Sequence, residues 1–170
     1  MDARDVLIEA AGRPAEAARA LRGSLARGAL NVHPANHPNS PAWLLWHSGR
    51  ELDSQLSELT GASEVWTGRA FSERSGLGAL GESIGLGHTG EQARAIAVDD
   101  PDVLLDYLTA VTEELCAYVR TLREADLDTV IDESWDPPVT RGVRLVSMID
   151  DAVQHVGQAA YAAGAPDPGA

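Results

Sequence analysis

Lysine is absent from this 170-residue chain, and all 13 of its basic residues are arginine. With alanine and glycine abundant, that usage carries the codon signature of a G+C-rich bacterial genome. Basic residues are also outnumbered: 26 aspartates and glutamates leave a formal net charge of -13 and a pI near 4.6. A surface of that sign repels phosphate backbones and anionic lipids at long range, so neither nucleic acid nor a membrane surface is an expected partner. Cysteine is down to Cys116, which excludes an internal disulfide and suits a cytoplasmic location. Lying in an apolar stretch, Cys116 reads as a small core side chain rather than as a nucleophile. Long apolar runs are missing: Ala42 to Trp46 is far shorter than a bilayer requires. Met1 to Ala10 carries acids where a signal peptide would carry bases and an apolar run, so no export signal is expected. Strand-type alternation of useful length is missing too.

What is present suits a globular protein, with 44% hydrophobic and 23% charged residues and a mean hydropathy of -0.15. At 18.0 kDa the chain is long enough for one hydrophobic core and short for two, which predicts a single domain over 1–170. Asp2 to Leu30 places Val6, Leu7, Ala10, Ala11, Ala17, Ala18, Leu21 and Leu25 at helical intervals, with a kink or break expected at Gly12 and Pro14. Asn31 to Asn39, with its two His-Pro pairs, reads as a loop. Ser40 followed by Pro41 is a cap-then-proline start for a second helix running to Thr60, with Gly61 beyond it and Leu45, Leu52, Leu56 and Leu59 as its core stripe.

Gly61 to Asp100 is glycine-rich and lacks a long period, apart from a capping box at Thr89 and Gln92 that predicts a short helix to about Ala97. So long an irregular segment more often lies over a site or an interface than nowhere. Asp100 and Pro101 then start a third helix with a seam from Val103 to Leu122. Asp126 to Val139, containing Trp135, Pro137 and Pro138, is a connection, and Thr140 caps a fourth helix that ends at Gly164. The expected fold is all-α, a four-helix bundle with a long loop crossover between helices two and three.

Asp151 and His155 on helix four are four residues apart, so their side chains lie one above the other and can chelate one ion. A solvated acid and histidine pair is the commoner meaning of that spacing. His47, however, follows Trp43, Leu44, Leu45 and Trp46, a turn apolar all round and therefore buried, and a buried histidine needs a partner. That partner could be a backbone carbonyl or an ion. Two imidazoles and a carboxylate from two helices would suit Zn, Ni, Fe(II) or Mn with positions left open. Glu51, one turn after His47, is a candidate further ligand or a base; a solvated helix acid would look the same.

Four segments, AWLLWHSGR from Ala42 to Arg50, GLGHTGEQ from Gly85 to Gln92, WDPPVTRGVRLVS from Trp135 to Ser147 and DDAVQHVGQAAYAAG from Asp150 to Gly164, together resemble the DinB-like superfamily and its actinobacterial branch. The resemblance implies a four-helix bundle holding a divalent metal on one residue of helix two and two of helix four. His47, Asp151 and His155 fall on those positions, with Asp151 where many relatives have histidine. Related bundles include mycothiol-dependent maleylpyruvate isomerase, in which the metal activates a low-molecular-weight thiol, so mycothiol is an implied cofactor.

Arg141 and Arg144 could hold a carboxylate of such a thiol or of the substrate, or salt-bridge to surface acids. Glu51 and Arg144 are the candidate catalytic residues. Trp66, Trp135 and Tyr161 could wall the pocket or simply pack; His33, His37 and His88 are given no role. The expected activity is a metal-dependent thiol transferase or isomerase acting on a small electrophile. A metal-dependent hydrolase and a non-catalytic metal-binding or structural bundle, with a homodimer as partner state, are the alternatives.

Overall fold

Each of the four long helices among the described residues begins on a short oxygen-bearing side chain. The structure is a computed structural model and describes residues 1–164. Asp2 accepts the backbone N–H groups of Arg4 and Asp5 in front of α1 (Ala3–Ala20), and Ser40 Oγ accepts that of Trp43 at 3.1 Å in front of α2 (Pro41–Thr60). Asp100 accepts the N–H of Asp102 at 2.9 Å to open α3 (Pro101–Thr121), and Thr140 Oγ1 accepts that of Val143 at 3.3 Å to open α4 (Arg141–Gly164). These bonds satisfy amides that have no partner inside the helix. Gly61 ends α2 in the left-handed conformation at φ 72°.

The expected break at Pro14 does not occur. α1 runs through it, with Pro14 on the buried face of the helix with Ala11, Ala15 and Ala18. The helical path loosens later instead, in a π turn over Leu25–Ala29 where Gly28 has φ 110°.

α2 packs on α3 and α4, and α1 packs on the same two helices, which closes a ring in the order α1, α3, α2, α4. Trp46, Leu45, Leu104, Leu108, Leu115, Leu145 and Met148 fill its interior with almost no exposed surface. Leu59 is only partly buried at the end of its stripe, and Cys116 is buried as expected. No helix among the described residues is long and apolar enough to cross a membrane.

The segment between α2 and α3 is better ordered than its composition suggests. Short helical turns at Val65–Gly68, Phe71–Ser75, Gly78–Glu82 and Gly90–Ala95 carry Trp66, Phe71, Leu77, Ile96 and Val98 into the core. The Thr89 and Gln92 capping box forms as expected. A small antiparallel hairpin, β1 (Val130–Asp132) with β2 (Val139–Thr140), was not legible because two or three residues are too few to show alternation.

A missing side chain lets α3 lie close against α2. A Cβ on Gly49 would stand 2.6 Å from Tyr107 Cε1 and 2.8 Å from Cδ1, so only glycine lets that ring lie across α2. Alanine normally stabilises a helix interior by about 1 kcal/mol over glycine. Gly49→Ala is nonetheless expected to lower stability in urea denaturation, because overpacking costs about 1–3 kcal/mol. Gly157→Ala on the open face of α4, where a Cβ would meet nothing within 4 Å, is expected to show the ordinary gain.

Candidate metal centre

Packing α2 against α4 brings His47, Asp151 and His155 together, each with a ligand atom within 4.8 Å of the others. Atoms about 2.0–2.2 Å from one ion stand at most about 4.4 Å apart, so small side-chain rotations would let all three share it. His47 is 5% exposed, and its ring stacks on Trp43 at 4.5 Å and meets the His155 ring edge-on at 4.7 Å.

One nitrogen of each histidine is bonded outside the cluster. His47 Nδ1 lies 2.5 Å from the Ile84 carbonyl oxygen, which can only accept, so Nδ1 carries the proton and Nε2 keeps its lone pair. His155 Nδ1 donates to Gln158 Oε1 at 3.0 Å, which turns its Nε2 toward Asp151 Oδ1 at 3.4 Å. A neutral imidazole nitrogen and a carboxylate oxygen would face each other with lone pairs, so that contact calls for a cation: a proton on His155 or a metal ion. Asp151 Oδ2 is inaccessible to solvent and has no hydrogen-bond partner. An orphaned buried acceptor beside two nitrogen donors fits a divalent ion, and neutral imidazoles oriented by an outer carbonyl are the usual form of metal-bound histidine.

The protonation balance follows from the surroundings. Burial pulls the His47 pKa down, so it stays neutral near pH 7. The hydrogen bond with Asp151 raises His155 and lowers Asp151. Glu51, half-buried one turn beyond His47 and accepting from Gln55 Nε2 at 3.3 Å, is pushed up first by burial and then by the Asp151 charge.

Glu51 also lines a cleft of about 500 Å³ with Glu58, Trp135, Val143, Arg144 and Ser147. None of the three candidate ligands lines it; it opens one helical turn away, at Ser147 on α4 and Glu51 on α2. Arg144 reaches Asp132 at 3.5 Å and Glu58 at 3.9 Å. Arg141 is not at this cleft: at the very start of α4 it turns back and donates to the Asp126 carbonyl at 2.9 Å. Trp66 is fully buried against Tyr107, and Tyr161 is 82% exposed, so of the three proposed wall aromatics only Trp135 lines the cleft. A second cavity, of about 480 Å³ between the end of α2 and α3, contains none of the candidate ligands.

The Gly61 to Asp100 segment lies over His47, and the buried histidine has the backbone-carbonyl partner offered for it in sequence; which residue supplies that carbonyl was not legible. Gly85, at φ 90°, would place a Cβ 2.9 Å from His47 Nδ1 and 2.8 Å from the Trp46 ring, so glycine is required for the Ile84 carbonyl to reach the imidazole. His88, to which no role fell, accepts from Trp43 Nε1 at 3.2 Å and stacks on Trp46. The GLGHTGEQ run held both residues, but a backbone carbonyl leaves no signature in side-chain identity.

Residues 13–159 match the sequence profile of the DinB superfamily. The chain is also similar to a solved structure described as the conserved protein of locus from Enterococcus faecalis, at 37% identity, with 96% of each chain covered and a TM-score of 0.87. No curated protein matches the chain.

In metal-free protein the Asp151 and His155 pair has a defined pH window. A raised histidine pKa makes its contribution to stability full below the unfolded value near 6.5 and lost as pH rises through the folded value. The lowered Asp151 keeps its own contribution until pH falls through that depressed value. Asp151→Asn is therefore expected to cost more stability at pH 6 than at pH 9 when unfolding is measured in chelator. An equal cost at both pH values would remove the ion pair.

Proposed function

The chain belongs to the DinB superfamily, and on that premise we propose that it is a divalent-metal-dependent enzyme, a transferase or isomerase that uses a small thiol of the mycothiol kind and acts on a small electrophile. The ring of four long helices is read as a four-helix bundle, and 1–170 as one domain of which 165–170 lie outside the described residues. The observation that carries the proposal is the convergence of His47, Asp151 and His155, with one histidine nitrogen of each ring tied outward and Asp151 Oδ2 left without a partner. The donor set suits Zn, Ni, Fe(II) or Mn. When bound, such an ion would lower the pKa of a thiol or of water so that it is nucleophilic near neutral pH.

The protein's own residues divide the remaining work. Glu51, whose pKa is raised by burial and by the Asp151 charge, lines the cleft one turn beyond His47 and can act as the proton acceptor there. Arg144 offers a guanidinium on the cleft wall to an anionic part of the thiol or substrate, once its loose contacts with Asp132 and Glu58 give way. Trp135, 65% exposed, supplies an apolar surface for the substrate body. Arg141 has no part in this scheme. The same placement of Glu51 favours a second reading, metal-dependent hydrolysis, in which a water replaces the thiol.

Protein purified without a histidine tag is expected to carry close to one divalent ion per chain by elemental analysis, and His47→Ala or His155→Ala to lose it. Affinity is expected to fall as pH drops through the histidine range, starting at the raised pKa of His155, because proton and ion compete for the same nitrogen. Turnover that requires added thiol separates transfer from hydrolysis. Absence of a stoichiometric ion would reduce the protein to a structural helical assembly.

A further inference from the structure

We propose that Arg50, which touches none of the three candidate ligands, is a positioning residue for the metal centre. It holds the backbone of residues 82–84 so that the Ile84 carbonyl fixes His47 with Nε2 facing Asp151 and His155. The inference rests on the metal reading for its consequence but not for its geometry.

Arg50 is 2% exposed, yet it carries a full charge in the interior. Its fork is divided between two jobs. Nη1 donates to Glu64 at 2.8 Å, reaches the Tyr107 hydroxyl at 3.5 Å and lies 3.8 Å from the buried Asp53 carboxylate, so two acids compensate the charge. Nε donates to the Ser83 carbonyl at 3.2 Å and Nη2 to the Glu82 carbonyl at 3.4 Å. Those two carbonyls immediately precede that of Ile84, the acceptor for His47 Nδ1. Charge neutralisation alone does not require the second set of bonds; they make sense as a clamp on this piece of chain.

The far side of the same loop is held independently. Gly85 has no room for a side chain, and His88 ties Ser83, at 2.9 Å, to Trp43 on α2. The loop is thus stapled at both ends over one imidazole. Only a planar guanidinium can serve the carboxylate and both carbonyls from one site, since an ammonium is a single point of donation.

A neutral histidine can carry its proton on either nitrogen, and only the Nδ1–H form presents a lone pair to the centre through Nε2. Loosening the Ile84 carbonyl therefore degrades the ligand without touching it. Loss of such an outer partner typically costs about 10–100-fold in metal affinity.

The test compares three variants in chelator and then with Zn. Arg50→Lys keeps a cation beside Glu64 but loses the two-carbonyl clamp. Arg50→Gln with Glu64→Gln removes the guanidinium together with its nearest carboxylate, leaving Asp53 its three hydrogen bonds, and serves if the lysine variant does not fold. Glu64→Gln alone weakens the charge pair and leaves the clamp intact. Long-range 1H–15N spectra of the metal-free protein at pH 8 are expected to show wild-type His47 with Nδ1 protonated and Nε2 bare. Either clamp-removing variant is expected to draw the two nitrogen shifts together and to weaken Zn binding about tenfold. Glu64→Gln is expected to lower Tm with the wild-type nitrogen pattern kept.

An unchanged His47 pattern in the folded clamp-removing variants overturns the proposal. So does a pattern that shifts as much in Glu64→Gln as in Arg50→Lys, which would mean general loosening. Because the nitrogen spectra need no metal, absence of Zn binding in wild type would sink the metal reading while a tautomer change in Arg50→Lys would still support the clamp.

Discussion

The hydrogen bond between His47 Nδ1 and the Ile84 carbonyl joins the helical ring to the segment that crosses it, and the candidate site depends on that join. Packing of α2 on α4 sets the distance between His47 and the Asp151–His155 pair. It does not decide which nitrogen faces inward. That choice is made by a backbone oxygen delivered from outside the two helices, on a loop that can approach only because Gly85 has no Cβ and adopts a positive φ. A buried imidazole left without that acceptor would face the cost of an unsatisfied donor, so the loop and the ring stabilise each other.

A second buried polar system supports the first. Asp53, 2% exposed, accepts the backbone N–H groups of Val65 and Trp66 and the hydroxyl of Tyr107, each at 2.8 Å. Beside it Arg50 pairs with Glu64 and stacks over Trp66. Each charge is matched by several directed bonds, the condition under which a buried ion is tolerated. Burial raises Asp53 while its three hydrogen bonds pull the other way. In a chain with 26 acidic residues against 13 basic ones, placing one of the few arginines fully inside is a strong commitment of charge to structure.

Much of this was legible in one dimension. Ser40 with Pro41, and Asp100 with Pro101, marked helix starts to the residue, because capping is a local contest between a side-chain oxygen and water for the first amides. Trp43 to Trp46 announced that His47 is buried, since a turn apolar on every side has nowhere else to go. The spacing of Asp151 and His155 put them on one helical surface by geometry alone. Pro14 lies inside α1 without ending it, so its missing N–H and the crowding of the preceding turn did not suffice for a break. Arg141 and Arg144 were both candidate anion holders, with Arg144 alone a candidate catalytic residue; a position at the first residue of α4 sends Arg141 toward Asp126, and one turn further sends Arg144 to the cleft.

The sequence by itself determined that the long helices form, where α2 and α3 begin, and the residue types available for chemistry, because caps, periods and breakers act over three or four neighbours; the end of α1 at Ala20, short of the expected Leu30, was decided elsewhere. The tertiary structure alone decided that His47 meets His155 at 4.7 Å, that the oxygen of Ile84 orients it, and that Arg50 holds the chain which carries that oxygen. These pairings link residues from about thirty to more than one hundred positions apart. Their partners are often backbone atoms identical in every residue, so only the closed packing of the chain on itself can specify them.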